Sequence, residues 1–166
     1  MRRTILALLV AAVAVAAPAA AALPPRHGVL APGRSLGGLR LGMTPAQVRA
    51  AWGSDFGRCR GCPQPTWYYT YRRYHPHGAA VEFRRGRVDA VFTLWAPTNW
   101  KTTKGLYIGD NVDRVPGLYG TLAHADCPGN YYALTIPTPG GVNALYVVNE
   151  KIFGFGLLGF KAAVCR

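Results

Sequence analysis

From residue 39 onward the chain alternates between short stretches of helical spacing and runs of period two. Met43, Val48, Ala51 and Trp52 recur at helical spacing. Thr44 can cap that helix, Pro45 suits its first position, Gln47 completes a T-x-x-Q capping box, and Gly53 supplies the stop. Alternating, β-forming runs over 66–74, 79–85 and 87–95 predict three strands. Three more are predicted over 131–136, 142–149 and 151–158, with Pro137-Thr138-Pro139-Gly140-Gly141 as a strong turn between the first two of these. A second helix is expected near 110–120, capped by Asp110, with Asp113 favourably placed at its positive end. Pro116 should shorten or distort it.

The two halves resemble each other. Leu41, Gly42, Val48, Trp52 and Gly53 align with Ile108, Gly109, Val115, Tyr119 and Gly120 at an offset of 67. At an offset of 64, Trp67-Tyr68 meets Tyr131-Tyr132, Ala80-Val81-Glu82-Phe83 meets Ala144-Leu145-Tyr146-Val147, and Arg87-Val88 meets Lys151-Ile152. A common order at a near-constant offset indicates duplication. The expected fold is therefore α+β: two tandem helix–β-meander units, antiparallel sheets with short helices packed on one face. The expected division is a signal peptide at 1–22, an N-terminal extension at 23–38, a first unit at 39–96, a polar linker at 97–105 and a second unit at 106–166. Neither unit alone buries much surface, so the two should pack together or share a continuous sheet.

The N-terminus bears on location rather than fold. Arg2 and Arg3 precede an unbroken apolar run over 5–17, then Pro18 and Ala20-Ala21-Ala22, which fits an A-x-A cleavage site. A retained anchor would need about 20 apolar residues, and Pro18 interrupts this run early. Cleavage would leave no integral membrane span and a protein secreted or held at a bacterial envelope. Half of the chain is apolar, enough for a packed core. The formal charge is +12, or +10 without Arg2 and Arg3. Residues 24–96 hold eleven Arg against Asp55, Glu82 and Asp89, a balance of +8, whereas 97–166 hold six cations against four acids, a balance of +2. Such a field attracts anionic lipid, acidic wall polymers or an acidic protein surface. Nucleic acid meets the same electrostatics, but export removes it as a partner. The competing reading is that biased base composition gives the Arg excess and only solubility follows.

Four cysteines in the exported part favour two disulfides. Three connectivities are open, and Cys59–Cys62 with Cys127–Cys165 is preferred. Patterns that spell active-site motifs fail on context. Gly33-Arg34-Ser35-Leu36-Gly37 has the letters of a nucleophile elbow but follows Pro32 and precedes a further glycine. Gly154-Phe155-Gly156-Leu157-Leu158-Gly159 lacks the helix of a dinucleotide site and reads as a terminal strand and turn. Cys59-Arg60-Gly61-Cys62 runs into Pro63 rather than a helix, which favours a structural disulfide over a redox centre. His75-Pro76-His77 reads as an exposed turn, and the seven acids form no paired-carboxylate pattern. No catalytic residue, metal ligand or cofactor is assigned.

The stretch 41–53, Leu-Gly-Met-Thr-Pro-Ala-Gln-Val-Arg-Ala-Ala-Trp-Gly, resembles the helix-opening motif of the outer-membrane assembly lipoprotein family and of the secreted β-lactamase-inhibitory proteins. Two copies with a disulfide in each resemble the latter more. That resemblance implies helices packed on a sheet, and joined sheets whose concave, aromatic-rich face grips a partner enzyme. No inhibitory residue is carried over from it.

The run 67–74 carries the strongest binding signal of the residues themselves. Alternation places Trp67, Tyr69, Tyr71 and Arg73 on one face and Tyr68, Thr70, Arg72 and Tyr74 on the other. Tyr, Trp and Arg dominate interface hot spots because they join large area to a polar handle. The expected partner-binding set is Trp67, Tyr69, Tyr71, Arg72, Arg73 and Tyr74, extended by Tyr131, Tyr132 and Tyr146. The bland alternative is a two-layer core with ordinary surface tyrosines. The sequence thus points to a secreted, non-enzymatic binding protein, in its finer form an inhibitor of an extracellular enzyme, whose partner is an extracellular protein. The alternative is a basic accessory protein held on an anionic envelope surface.

Overall fold

The computed structural model describes residues 26–70 and 78–166. The expected signal peptide, Tyr71, Arg72, Arg73 and Tyr74, and the His75-Pro76-His77 turn lie outside the described residues. The described chain runs β1 (Val29–Ala31), β2 (Ser35–Leu36), α1 (Pro45–Trp52), β3 (Gly57–Arg58), β4 (Thr66–Thr70), β5 (Gly78–Arg84), β6 (Arg87–Leu94) and β7 (Lys101–Thr102). It continues with α2 (Arg114–Tyr119), β8 (Ala123–Cys127), β9 (Tyr131–Thr138), β10 (Gly141–Val148) and β11 (Lys151–Gly159).

Eight of these strands form one antiparallel sheet in the order β3-β4-β5-β6-β11-β10-β9-β8. The meanders β4-β5-β6 and β9-β10-β11 meet where β6 pairs with β11. In their described residues the six long segments marked by alternation form strands, and the two meanders share one continuous sheet. The α+β class is nevertheless overturned. Helices of eight and six residues are minor covers on a mostly β fold. Local chemistry limits both. In α1, Thr44 and Gln47 close the capping box at 3.2 and 2.8 Å, and Gly53, at φ 82°, ends the helix. In α2, Pro116 and Gly117 fall inside the helix and keep it to six residues. Asp110 does not cap α2. It accepts from the Tyr107 amide at 2.8 Å and pairs with Arg114, while Asp113 takes the cap position without a side-chain bond.

The expected polar linker also carries structure. Lys101 and Thr102 form β7, which pairs in parallel with β1 in a small sheet ordered β2-β1-β7. Trp100 is fully buried and meets Trp52 edge-on at 5.8 Å. A β-carbon on Gly37 would lie 2.4 Å from the Trp100 ring, and the Gly37 carbonyl accepts the Trp52 indole N–H at 2.8 Å. The G-x-S-x-G letters therefore describe a β1–β2 hairpin wedged under two tryptophans. Ser35 sits in β2 opposite Ala31, with no strand–turn–helix around it.

The large sheet has two faces with separate cores. The first packs Trp67, Tyr69, Val81, Phe83, Val91, Leu145, Val147, Phe155 and Leu157 against the helices and the small sheet. The second packs Phe153, Tyr146, Ala144, Ala133 and Leu158 against residues 162–165. Those residues form a strap fastened by the Cys127–Cys165 disulfide. The Gly154 to Gly159 run lies in the last strand and leads into a turn, as expected, and that strand is central in the sheet. Its glycines make room for neighbours: a β-carbon would lie 2.1 Å from the Thr93 carbonyl at Gly154, 2.8 Å from the Tyr146 hydroxyl at Gly156 and 2.5 Å from the Asp89 carboxylate at Gly159.

Candidate functional site

The strap covers only part of the second face. Among the described residues that face is uncovered over β4, β5 and β6, and side-chain size shapes it. Tyr68 on β4 stands opposite Ala80 on β5, which stands opposite Phe92 on β6. One row along, Thr70, Gly78 and Leu94 are aligned in the same way. Small residues on β5 between large ones on its neighbours leave a channel along the middle strand. Its volume is about 380 Å³, with Tyr68, Ala80, Phe92 and Leu94 as walls and floor and the Cys59–Cys62 disulfide on its rim. Gly78 has no alternative residue, because a β-carbon there would lie 2.1 Å from the Tyr69 carbonyl.

At Phe92 and Cys62 the channel joins a second groove of about 410 Å³ that runs beneath the strap, past Glu82, Arg84, Lys161 and Arg166. The Arg166 guanidinium lies over the Phe92 ring at 4.7 Å and donates to Glu82 at 2.6 Å, closing this end. The Arg166 backbone is anchored by Tyr131, whose hydroxyl accepts from the Arg166 amide at 2.6 Å and donates to the Arg166 carbonyl. The open face therefore lies between two disulfide-fastened segments, apolar at the β4–β5 side and charged toward the β5–β6 turn. Beyond Leu94, Trp95 remains 46 % exposed while its ring leans on Phe153 at 4.8 Å.

The sequence-predicted surface residues do not assemble here. Trp67 and Tyr69 belong to the first core, where Trp67 stacks on Phe56 at 3.9 Å and Tyr69 meets Trp52 at 5.3 Å. Tyr132 is half-buried on that same face and stacks on His124 at 4.3 Å. Tyr131 and Tyr146 lie on the second face, but under the strap. Tyr146 is fully buried, its hydroxyl donates to the Val164 carbonyl at 3.0 Å, and burial raises its pKa against the opposing charge of Arg166. Trp67, Tyr69 and Tyr146 spend their aromatic area inside the fold, and Tyr131 and Tyr132 are half-buried against it. The exposed tyrosine of β4 is Tyr68, 42 % exposed, on the face opposite Trp67 and Tyr69. Sequence reasoning passed over Tyr68, Ala80, Phe92 and Leu94. The available signal was the small pair Gly78 and Ala80, set in a strand between strands bearing large residues on the same face.

Both disulfides take the preferred connectivity, and no free cysteine is present among the described residues, which fits a secreted protein. The C-x-x-C segment leads into β4, not a helix, so it lacks the setting that lowers a thiol pKa. Among the described residues no three His, Cys, Asp or Glu side chains come together as a metal site, and no helix is long and apolar enough to cross a membrane. Neither a family model nor a curated protein matches this sequence. Among solved structures the chain is similar to an extracellular protein containing an SCP domain from Bacillus anthracis str. Ames, at 14 % identity and a TM-score of 0.52. The match covers 72 % of this chain and 44 % of that one, so the chain spans less than half the length of that protein and shares with it a fold.

Proposed function

We propose that the chain is an exported, non-enzymatic binding protein that seats part of a protein partner in the channel over β4, β5 and β6. The observation that carries this reading is the uneven cover of the second sheet face. The strap closes the half over β9, β10 and β11, while among the described residues nothing covers the channel between Tyr68 and Phe92, with Ala80 as its floor, on the other half. A sheet that had only to be stable would bury Phe92 and Leu94 in the same manner as Tyr146 and Phe153. An aliphatic or aromatic side chain of a partner fits between Tyr68 and Phe92, and the rim disulfide holds one bank of the channel in place. Inhibition of an extracellular enzyme is the finer form of the proposal, supported by the resemblance at residues 41–53. Two disulfides and the apolar leader with its A-x-A site support export.

The test is retention of a partner from culture medium on the immobilised protein, compared across channel variants. Ala80→Met fills the channel and Tyr68→Ala removes a wall, and each should lower retention by at least about tenfold, the loss of one buried anchor. Thermal unfolding checks that both variants stay folded. Equal retention by parent and both variants would sink the channel as the binding site.

A further inference from the structure

We propose that the turn between β5 and β6, together with Phe160 and Lys161, forms a docking site for an anionic phospholipid surface. Arg84, Arg85, Arg87 and Lys161 line a cavity of about 520 Å³ in which Asp89 is the one carboxylate. Arg84 is fixed: its Nε donates to Asp89 at 2.6 Å and its Nη2 to the Lys161 carbonyl at 3.0 Å. That pair consumes the carboxylate and ties the turn to the strap. Arg87 is exposed, with its Nη1 3.4 Å from the Gly42 carbonyl. The side chains of Arg85 and Lys161 are exposed and have no ion-pair partner among the described residues. The net result is a concave tip where Arg85, Arg87 and Lys161 have no ion-pair partner among the described residues, suited to phosphate oxygens.

Two further observations select a lipid surface as the source of those phosphates. Phe160 is 74 % exposed, the most exposed large apolar side chain among the described residues, and it directly precedes Lys161. An aromatic ring beside a basic cluster places apolar area at the headgroup boundary while the cations meet phosphates. A soluble polyanion would use the cations and leave the ring in water. The turn itself also gives up stability to present charge. Arg85 and Gly86 lie at φ 51° and 71°, a two-residue type I′ turn whose first position favours Asn, Asp or Gly. The matching turn between β10 and β11 has Asn149 there, at φ 46°, so the fold accepts the cheaper residue. This site meets the channel only through the groove past Arg84 and Lys161, and Arg85 and Phe160 line neither, so its failure would leave the channel reading untouched.

The protein from Arg26 onward holds all strands and helices of the described residues and both disulfides, and removes the apolar leader as a source of membrane binding. It is sedimented with vesicles of phosphatidylcholine alone, or with about a third phosphatidylglycerol. Binding to the anionic vesicles only, weakened by salt, is expected. Arg85→Asn should lower the partition coefficient roughly fivefold, the worth of one cation at such a surface, and at the same time raise Tm, which separates lost binding from unfolding. Phe160→Ser should lower it by a similar factor. Lys101→Gln with Lys104→Gln removes more charge, in and just after β7, and should change it less than about twofold. The proposal is overturned if Phe160→Ser binds as the parent does, or if the Lys101/Lys104 double variant loses as much as Arg85→Asn. Capture by soluble polyphosphate with the same strength and no dependence on Phe160 would also overturn it.

Discussion

The Arg166 guanidinium and the Glu82 carboxylate meet at 2.6 Å with only 7 % and 13 % of their side chains exposed. Glu82 lies on β5 and Arg166 follows the strap, so the bond spans from the covered half of the second face to the open half. Two buried charges gain little over an apolar pair, but each is costly when left alone. Glu82→Leu should therefore destabilise by about 3–5 kcal/mol, and Glu82→Leu combined with Arg166→Met should recover most of that loss. Urea unfolding of the two single variants and the double variant measures the coupling. Additive losses would show that the pair does not act as a unit.

The two disulfides should differ sharply in worth. Cys127–Cys165 closes a loop of 38 residues and Cys59–Cys62 one of three. Loop-closure entropy assigns about 4 kcal/mol to the first and about 1.5 kcal/mol to the second. Replacing Cys127 and Cys165 with Ser should also free the strap from Tyr146 and Phe153. That variant is expected to bind a fluorescent apolar dye in the absence of denaturant, whereas the Cys59/Cys62 pair of substitutions should not.

The six long strands were legible because alternation and β-forming residues persist over five or more positions in each. The class was not, and the reason lies in the short elements. β1, β2, β3 and β7 have two or three residues, too few to establish a period, and β8 carries the polar pair His124 and Asp126. Trp100 was invisible for the same reason: a single apolar residue in a polar stretch has no periodicity, yet it fills the space between Gly28, Gly37 and Trp52. Alternation separated Tyr68 from Trp67 and Tyr69, but it does not say which face is covered. The helices cover the Trp67 face and the strap covers half of the other. The Cys127–Cys165 link reveals a connection between segments and not the face over which it passes. Hence Tyr146, which alternation alone leaves available, is inside, and Tyr131 is half-buried beneath the strap.

The glycines of the β11 run give a direct test of their structural role. A β-carbon at Gly156 would come within 2.8 Å of the Tyr146 hydroxyl and 3.3 Å of the Ala144 side chain. Gly156→Ala should cost about 1–3 kcal/mol by overpacking, and Tyr146→Phe in the same chain should relieve part of it. Gly117 in α2 is the control, since a β-carbon there meets nothing within 4 Å. Gly117→Ala should stabilise by up to about 1 kcal/mol, the helix preference for Ala over Gly. Calorimetric Tm values of the three variants decide it, and a neutral Gly156→Ala would refute the packing argument.

Tyr69 links packing to alkaline stability. Burial pushes its pKa up to about 12, with the Arg49 charge pulling the other way. A phenol that resists ionisation in the fold but not in the unfolded chain stabilises the fold fully below pH 10, its ordinary pKa. That stabilisation is lost as pH rises from about 10 through about 12, and Tyr146, raised in the same direction by complete burial, steepens the decline. The Tyr69 hydroxyl is also buried without a hydrogen-bond partner among the described residues. Tyr69→Phe should therefore be as stable as the parent at pH 7 or more stable by up to about 1 kcal/mol. Between pH 10 and 12 it should be spared about 2–3 kcal/mol of the parent's loss, one proton over two pH units. Urea unfolding across that range, followed alongside tyrosinate absorbance, reads both effects. An unchanged alkaline slope in Tyr69→Phe would mean that this phenol ionises as freely in the fold as in the unfolded chain.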